Sequence, residues 1–300
     1  MTRTISDRPS DAVDSSGEAA DILSTGRLAY VAIDTGRGPL VTPVLYGVAG
    51  GHLWFVTNRN ALKARVLRTR PHTACVVRAG NRAVVMTGRA RLLSPTHPGD
   101  FLTSPAHLTQ VPFAASSWAM RNPRQVLGFL RDGVLFPSRV MPQDMVLVEL
   151  LPETTRVVDH DSSLDIPPTA AAATPDRTRR SRSQRAALPA ELAGLVSSRQ
   201  GVLGLSTPRG PIAVPVTWDH RRQVAVLPPG TQLPFETAPA CLTLDEPVHH
   251  RPTDQRGIVL RGRAVTLDGF RTDPPSVALD TRRITYWSGF ETATTDLTAR

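Results

Sequence analysis

The stretch LWFVTNRNALKARVLRTRP, residues 53–71, gathers a hydroxyl (Thr57), an amide (Asn58) and three cations (Arg59, Lys63, Arg65) where apolar alternation gives way to helical spacing. Such donors at the start of a helix suit a phosphate: hydroxyl, amide and exposed backbone N–H groups donate to its oxygens, and a lysine adds a compact point charge. Lys63 is the only lysine among 35 basic residues, the rest being arginine. An arginine-biased chain that keeps one lysine points to a position where a planar fork does not serve. The glycines of a Walker A loop are missing, and so is a Rossmann fingerprint. The blander alternative is a basic helix with a solvated face.

No other chemistry has comparable support. No Ser-His-Asp or Cys-His arrangement is visible, so no catalytic residue is assigned. Cys75 and Cys241 lack CxxC spacing and sit in apolar contexts, TACVV and ACLTL, which predicts buried free thiols and no metal site.

The elements that must position the cluster are short. LAYVAID, PLVTPVLYGV and HLWFVT are apolar, β-rich runs bounded by glycine turns, and they predict an antiparallel meander over 28–57. Pro43 places an edge or bulge in the second run. Residues 58–70 follow as a helix capped by Asn58 or Asn60 and ended by Pro71. TACVVRA and AVVMTGRARLL resume the strands, 94–139 is helical in part, and 145–159 closes a first β-domain.

Beyond a Pro/Ala/Arg-rich linker at 160–187, the pattern repeats. GVLGLSTPRGPIAVPVTW parallels RLAYVAIDTGRGPLVTPVLY, Pro211 and Pro215 match Pro39 and Pro43, Gly262-Arg263-Ala264 matches Gly88-Arg89-Ala90, and Cys241 matches Cys75. Two domain-sized units mean a duplicated fold and not a solenoid. The copies differ at the phosphate cluster: Pro43 to Cys75 spans 32 residues and Pro215 to Cys241 spans 26, with VLPPGTQLPFETAP in place of the lysine-bearing helix. The expected organisation is a flexible arm over 1–20, a first barrel over 21–159, the linker, and a second, degenerate barrel over 188–300.

A length of 300 residues agrees with two domains, and 27 prolines favour many short elements. No apolar run is long enough to span a bilayer, and the polar, acidic N-terminus is not a secretory signal, so a cytoplasmic protein without a membrane role is expected. The formal charge of +9 is concentrated in part in the linker (Arg177, Arg179, Arg180, Arg182, Arg185) and lacks aromatic interleaving. That excludes a specific nucleic-acid partner from the expectation.

Residues 27–90 resemble the pyridoxamine-phosphate-oxidase-like FMN-binding split barrels of the flavin/deazaflavin oxidoreductase superfamily, through GRLAYVAI, GPLVTPVLYG, FVTNRNALKARVLRTRPHTACVV and MTGRA. The resemblance implies a mainly β fold with short helices, two tandem split β-barrels forming a pseudo-dimer. It implies FMN, or a deazaflavin, held through its phosphate by Thr57, Asn58 and Lys63, with Arg59 and Arg65 as further candidates. Thr42, Pro43 and Val44 would line the ring. The reaction would be hydride or electron transfer with a small-molecule substrate. Family members are usually homodimers, so the duplication implies that a monomer holds one site, walled by the second copy. The tail RRITYWSGFETATTD supplies Arg283, Tyr286 and Trp287 as candidates for that wall. The oxidase's C-terminal arginine–histidine segment is not matched, which separates this chain from the vitamin substrate. Two alternatives stand beside the flavin: a haem-binding split barrel, with His249 and His250 the first axial candidates, and a non-catalytic cofactor-binding protein.

Overall fold

The structure, a computed structural model, describes residues 11–94, 105–135, 145–159, 189–192, 194–197, 200–229, 231–233, 235–246, 254–267, 274–289 and 291–297. The first half runs α1 (Asp11–Thr25), β1 (Ala29–Thr35), β2 (Gly38–Val44), β3 (Tyr46–Ala49), β4 (His52–Asn58), α2 (Leu62–Thr69), β5 (His72–Ala79), β6 (Arg82–Leu93), α3 (Pro105–Arg121), α4 (Pro123–Leu135) and β7 (Met145–Val158). The second half is β8 (Gln200–Thr207), β9 (Gly210–Asp219), β10 (Val224–Val226), β11 (Thr237–Asp245), β12 (Arg256–Thr266), β13 (Ser276–Ser288) and β14 (Glu291–Asp296). No helix among the described residues is long and apolar enough to cross a membrane. The linker lies outside the described residues.

Each half is one antiparallel sheet, ordered β2-β1-β5-β6-β7-β4-β3 in the first and β10-β9-β8-β11-β12-β13-β14 in the second. The orders describe one topology. β2 and β3 are a single strand broken at Leu45, and β9 is its unbroken counterpart. β10 corresponds to β4, and its pairing with β13 closes the second barrel as β4 on β7 closes the first. β14 is hydrogen-bonded to β13, and no strand among the described residues corresponds to it in the first half.

The repeated motifs are repeated turns and bulges. Thr35 and Thr207 each donate from Oγ1 to the carbonyl of the glycine three residues on, at 2.6 and 2.7 Å, and each hydroxyl accepts from the arginine N–H between at 3.2 Å. Those glycines, Gly38 and Gly210, have φ of 98° and 123°, which only glycine adopts without strain. Gly88 and Gly262 mark the same bulge on β6 and β12. A Cβ there would lie 2.1 Å from the Leu151 carbonyl oxygen or 1.8 Å from that of Asp280.

The two barrels pack face to face and reciprocally: β5 on β9 and β11 on β2, β1 on β9 and β8 on β2. Equivalent elements meeting this way is the signature of an isologous interface. β1 is buried on both sides, which is why it reads as a continuous apolar run. Ala29, Val31 and Ile33 join the first barrel's core, whereas Tyr30 and Ala32 join the second's. Polar groups at this interface are matched. Tyr30 donates to the Asp245 carboxylate at 2.9 Å and accepts from Arg78 at 3.1 Å; Ser206 donates to Asp34 at 3.0 Å, and Thr243 to the Val41 carbonyl at 2.8 Å. Burial foremost, with the Asp245 charge, pushes the Tyr30 phenol up, and burial pushes Asp245 up to about 6.

Two expectations change. Within the expected flexible arm, α1 already begins at Asp11, because Ala19 and Ile22 bury against the first barrel and Arg82 pairs with Glu18 and Asp21. The helix expected from residue 58 begins at Leu62, because the Asn58 side chain accepts from the Asn60 N–H at 2.8 Å and holds a turn ahead of it.

Candidate functional site

A cavity of about 810 Å³ lies between the barrels. Its first wall comes from β2 and its flanks: the β1–β2 turn (Thr35, Gly36, Arg37), Leu40, Thr42 and Pro43, and then Leu62 at the start of α2. The Thr42 hydroxyl is buried and has no hydrogen-bond partner. A buried hydroxyl left unpaired costs about 1–3 kcal/mol, so a group in the cavity that pairs with it is favoured.

The second barrel builds the facing wall. On β13, Arg283, Thr285 and Trp287 alternate onto the cavity face, and Thr292 and Thr294 of β14 stand opposite Trp287 and Thr285. The Trp287 ring lies across Gly257, where a Cβ would come within 2.0 Å of it, so the glycine makes room for the indole. Tyr286 points the other way and packs against the second barrel's core.

Three arginines, Arg37, Arg261 and Arg283, line this cavity, and among the described residues no carboxylate does. Arg261 on β12 reaches across to the first barrel, donating to Thr35 Oγ1 at 2.9 Å and to the Gly38 carbonyl at 3.4 Å. Burial, with the neighbouring Arg283 and Arg37 charges, lowers it from the ordinary arginine value. The neighbouring carboxylate, Asp296, pairs with Arg283 in a bidentate contact that raises the arginine and lowers the acid.

Of the residues expected to contact the cofactor, Thr42 and Pro43 line the cavity, and Val44 packs partly buried against the first barrel's core. The expected phosphate group is dispersed. Thr57 is half-buried, Asn58 is engaged in its turn, Arg59 donates to Ser94 at 2.6 Å, and Arg65 is exposed; none of them lines the cavity. Lys63, one residue past Leu62, is turned inward and 9% exposed, its ammonium 5.4 Å from the centre of the Phe55 ring. Among the described residues it has no hydrogen-bond or ion-pair partner, and burial lowers it to about 7. The tail residues Arg283 and Trp287 reach the wall as anticipated. Arg37 and Arg261 were missed, although Arg37 lies inside the repeated turn and Arg261 next to the repeated Gly-Arg-Ala bulge.

A second, smaller crevice of about 170 Å³ between the barrels is lined in part by Pro215, Pro228, Pro229 and Pro274. Of the described histidines, none lines the larger cavity; His52 bonds Glu149 at 2.7 Å. His249 and His250 lie outside the described residues. Cys75 and Cys241 are buried free thiols, and no cluster of metal-ligating residues occurs among the described residues.

Residues 15–124 match the sequence model of the family described as Pyridoxamine 5'-phosphate oxidase. No curated protein matches the chain. Among solved structures, a conserved hypothetical protein from Mycobacterium tuberculosis is 22% identical, covering 52% of this chain and 91% of its own, with a TM-score of 0.36. A pyridoxamine 5'-phosphate oxidase-related, FMN binding protein from Nostoc punctiforme is 18% identical over 52% of this chain and 87% of its own, at 0.35. A heme binding protein from Mycobacterium smegmatis is 17% identical over 51% and 55%, also at 0.35.

Proposed function

We propose, from the premise that the first barrel belongs to the pyridoxamine 5'-phosphate oxidase family, that the chain binds a phosphate-bearing flavin, FMN or a deazaflavin, between its barrels and acts as an oxidoreductase on a small molecule. The observation that carries this reading is the Thr42 hydroxyl, buried without a partner in the wall of an 810 Å³ cavity. A cavity of that size lies in the upper part of the roughly 300–1,000 Å³ range of small-molecule sites, large enough for a cofactor and a small substrate together. A planar heterocycle with carbonyl and ring-nitrogen acceptors gives the Thr42 hydroxyl its partner.

Leu40, Pro43 and Leu62 present apolar surface to one side of such a ring and keep water from it. Trp287 bounds the cavity from the other barrel. The phosphate end is assigned to the first turn of α2, where Leu62 borders the cavity, the N-terminus has no side-chain cap, and the inward-turned Lys63 meets no counter-charge among the described residues. A dianion beside that amine restores its proton, and backbone N–H groups at the helix start donate to the remaining oxygens. The bound flavin supplies the hydride or electron transfer; the protein holds and screens it. The second barrel provides the wall that a partner subunit gives in a homodimer, so the functional unit is one chain with one site.

The visible spectrum of the full chain, as purified and after incubation with FMN, a deazaflavin or haem, tests this. A flavin spectrum retained through gel filtration at about one per chain is expected. A Soret band with no flavin uptake, or uptake of none of the three, overturns the proposal.

A further inference from the structure

We propose that the arginine-bearing wall contributed by the second barrel is the subsite for an oxyanion on the substrate, and that the substrate is a planar, conjugated carboxylate. This inference rests on the reading of the cavity as the cofactor site and adds the substrate class to it.

Positive charge on the cavity wall exceeds negative. Among the described residues Arg37, Arg261 and Arg283 line it and no carboxylate does, and the neighbouring Asp296 offsets one of the three charges by pairing with Arg283. Like charges held together at a partly buried wall cost free energy unless an anion joins them. Arg261 is also positioned in advance, because Thr35 Oγ1 and the Gly38 carbonyl fix one of its nitrogens and leave the rest of the fork for a ligand. A fork oriented before binding loses less entropy when a carboxylate arrives.

The shape of the ligand follows from β13. Arg283 and Trp287 lie on one face of the same strand, four residues apart, which is about 13 Å at ~3.3 Å per residue. Between them Thr285 of β13, with Thr292 and Thr294 of β14, lines the cavity, the Thr285 and Thr294 hydroxyls bonded to each other at 3.1 Å. A small molecule with a carboxylate at one end and an unsaturated body at the other spans that distance. The opposite wall carries Arg37 only at its β1–β2 end, and its remainder, with Leu40, Thr42 and Pro43, is uncharged and suits the cofactor ring.

Calorimetric titration of the full chain with cinnamate, its neutral amide, and inorganic phosphate, each with and without FMN, tests the assignment. Cinnamate is expected to bind in both states, with the amide at least about tenfold weaker, a difference near 1.4 kcal/mol. Arg283→Gln should weaken cinnamate by about tenfold or more, while FMN affinity stays within about threefold. Thr294→Glu, on an exposed face of β14, should do the same with every arginine in place, which guards against a folding artefact in the first variant. Equal binding of cinnamate and its amide overturns the proposal. So does a parallel loss of FMN and cinnamate affinity in both variants, or displacement of FMN by inorganic phosphate in an Arg283-dependent manner, because the arginines then hold the cofactor's phosphate. If FMN does not load but cinnamate binds in an Arg283-dependent way, the anion subsite stands and the cofactor reading falls.

Discussion

Replacing Lys63 with methionine separates what the residue costs the fold from what it gives the site. The side chain is 9% exposed, rests over Phe55 and has no anionic partner, and burial lowers its amine from 10.5 to about 7. At ~1.4 kcal/mol per factor of ten, holding the charged form inside costs up to about 5 kcal/mol, an upper limit that relaxation of the helix end reduces. Methionine keeps the length and removes the charge, so the ligand-free variant should be more stable than the parent by about 2–4 kcal/mol at pH 6. The sign with pH is fixed. The folded value lies below the unfolded one, so between about 7 and 10.5 the unfolded chain carries the proton and the folded chain does not. Parent stability therefore rises with pH across that window, and the advantage of the variant shrinks as it does. FMN narrows the gap, since losing a charge-assisted contact to phosphate costs the variant about 1.5–3 kcal/mol of binding, or roughly 10- to 150-fold in affinity. Urea denaturation of both proteins at pH 6, 7.5 and 9, with FMN titrations by fluorescence quenching, reads all of this out. A variant no more stable than the parent at pH 6 refutes the buried-charge argument, and undiminished FMN affinity refutes the phosphate assignment.

Three further outcomes are expected. Asp245, raised from 3.8 to about 6, contributes stability below about pH 4 that is lost as pH rises through 6. Asp245→Asn should therefore gain up to about 3 kcal/mol on the parent by pH 7.5, and a difference that does not vary with pH in denaturant melts would contradict this. Gly262→Ala should destabilise the second barrel by about 3 kcal/mol or more, since its Cβ would fall 1.8 Å from the Asp280 carbonyl oxygen; a loss under about 1 kcal/mol would show that the bulge relaxes. Light scattering with equilibrium dialysis should find a monomer binding one FMN, and two sites per chain would sink the single-site reading.

Much of the scaffold was legible in the chain. Alternating apolar runs and glycine turns give the meander because the side-chain period of a strand is two. The repeated T-x-R-G and G-R-A motifs mark where a φ near +100° and a close carbonyl leave glycine alone acceptable. α1 was only half visible. Its early turns are polar, and its order comes from Ala19, Ile22 and the Arg82 ion pairs, contacts 60 residues and more away in sequence for Arg82.

The site divides in the same way. By itself the sequence determined that there are two related barrels, that the first alone keeps a lysine at the start of a helix, and that Thr42 and Pro43 share one strand with the repeated proline pair. Those are local facts, written in residue type, turn chemistry and period. Only the tertiary structure decided that Lys63 turns inward, because direction depends on how α2 seats over Phe55. Only it decided that Arg37, Arg261 and Arg283 meet in one cavity, because they lie on separate segments that reciprocal packing of the barrels brings together. Charge at a point in space is a sum over neighbours, and the chain does not order those neighbours until its two halves have docked.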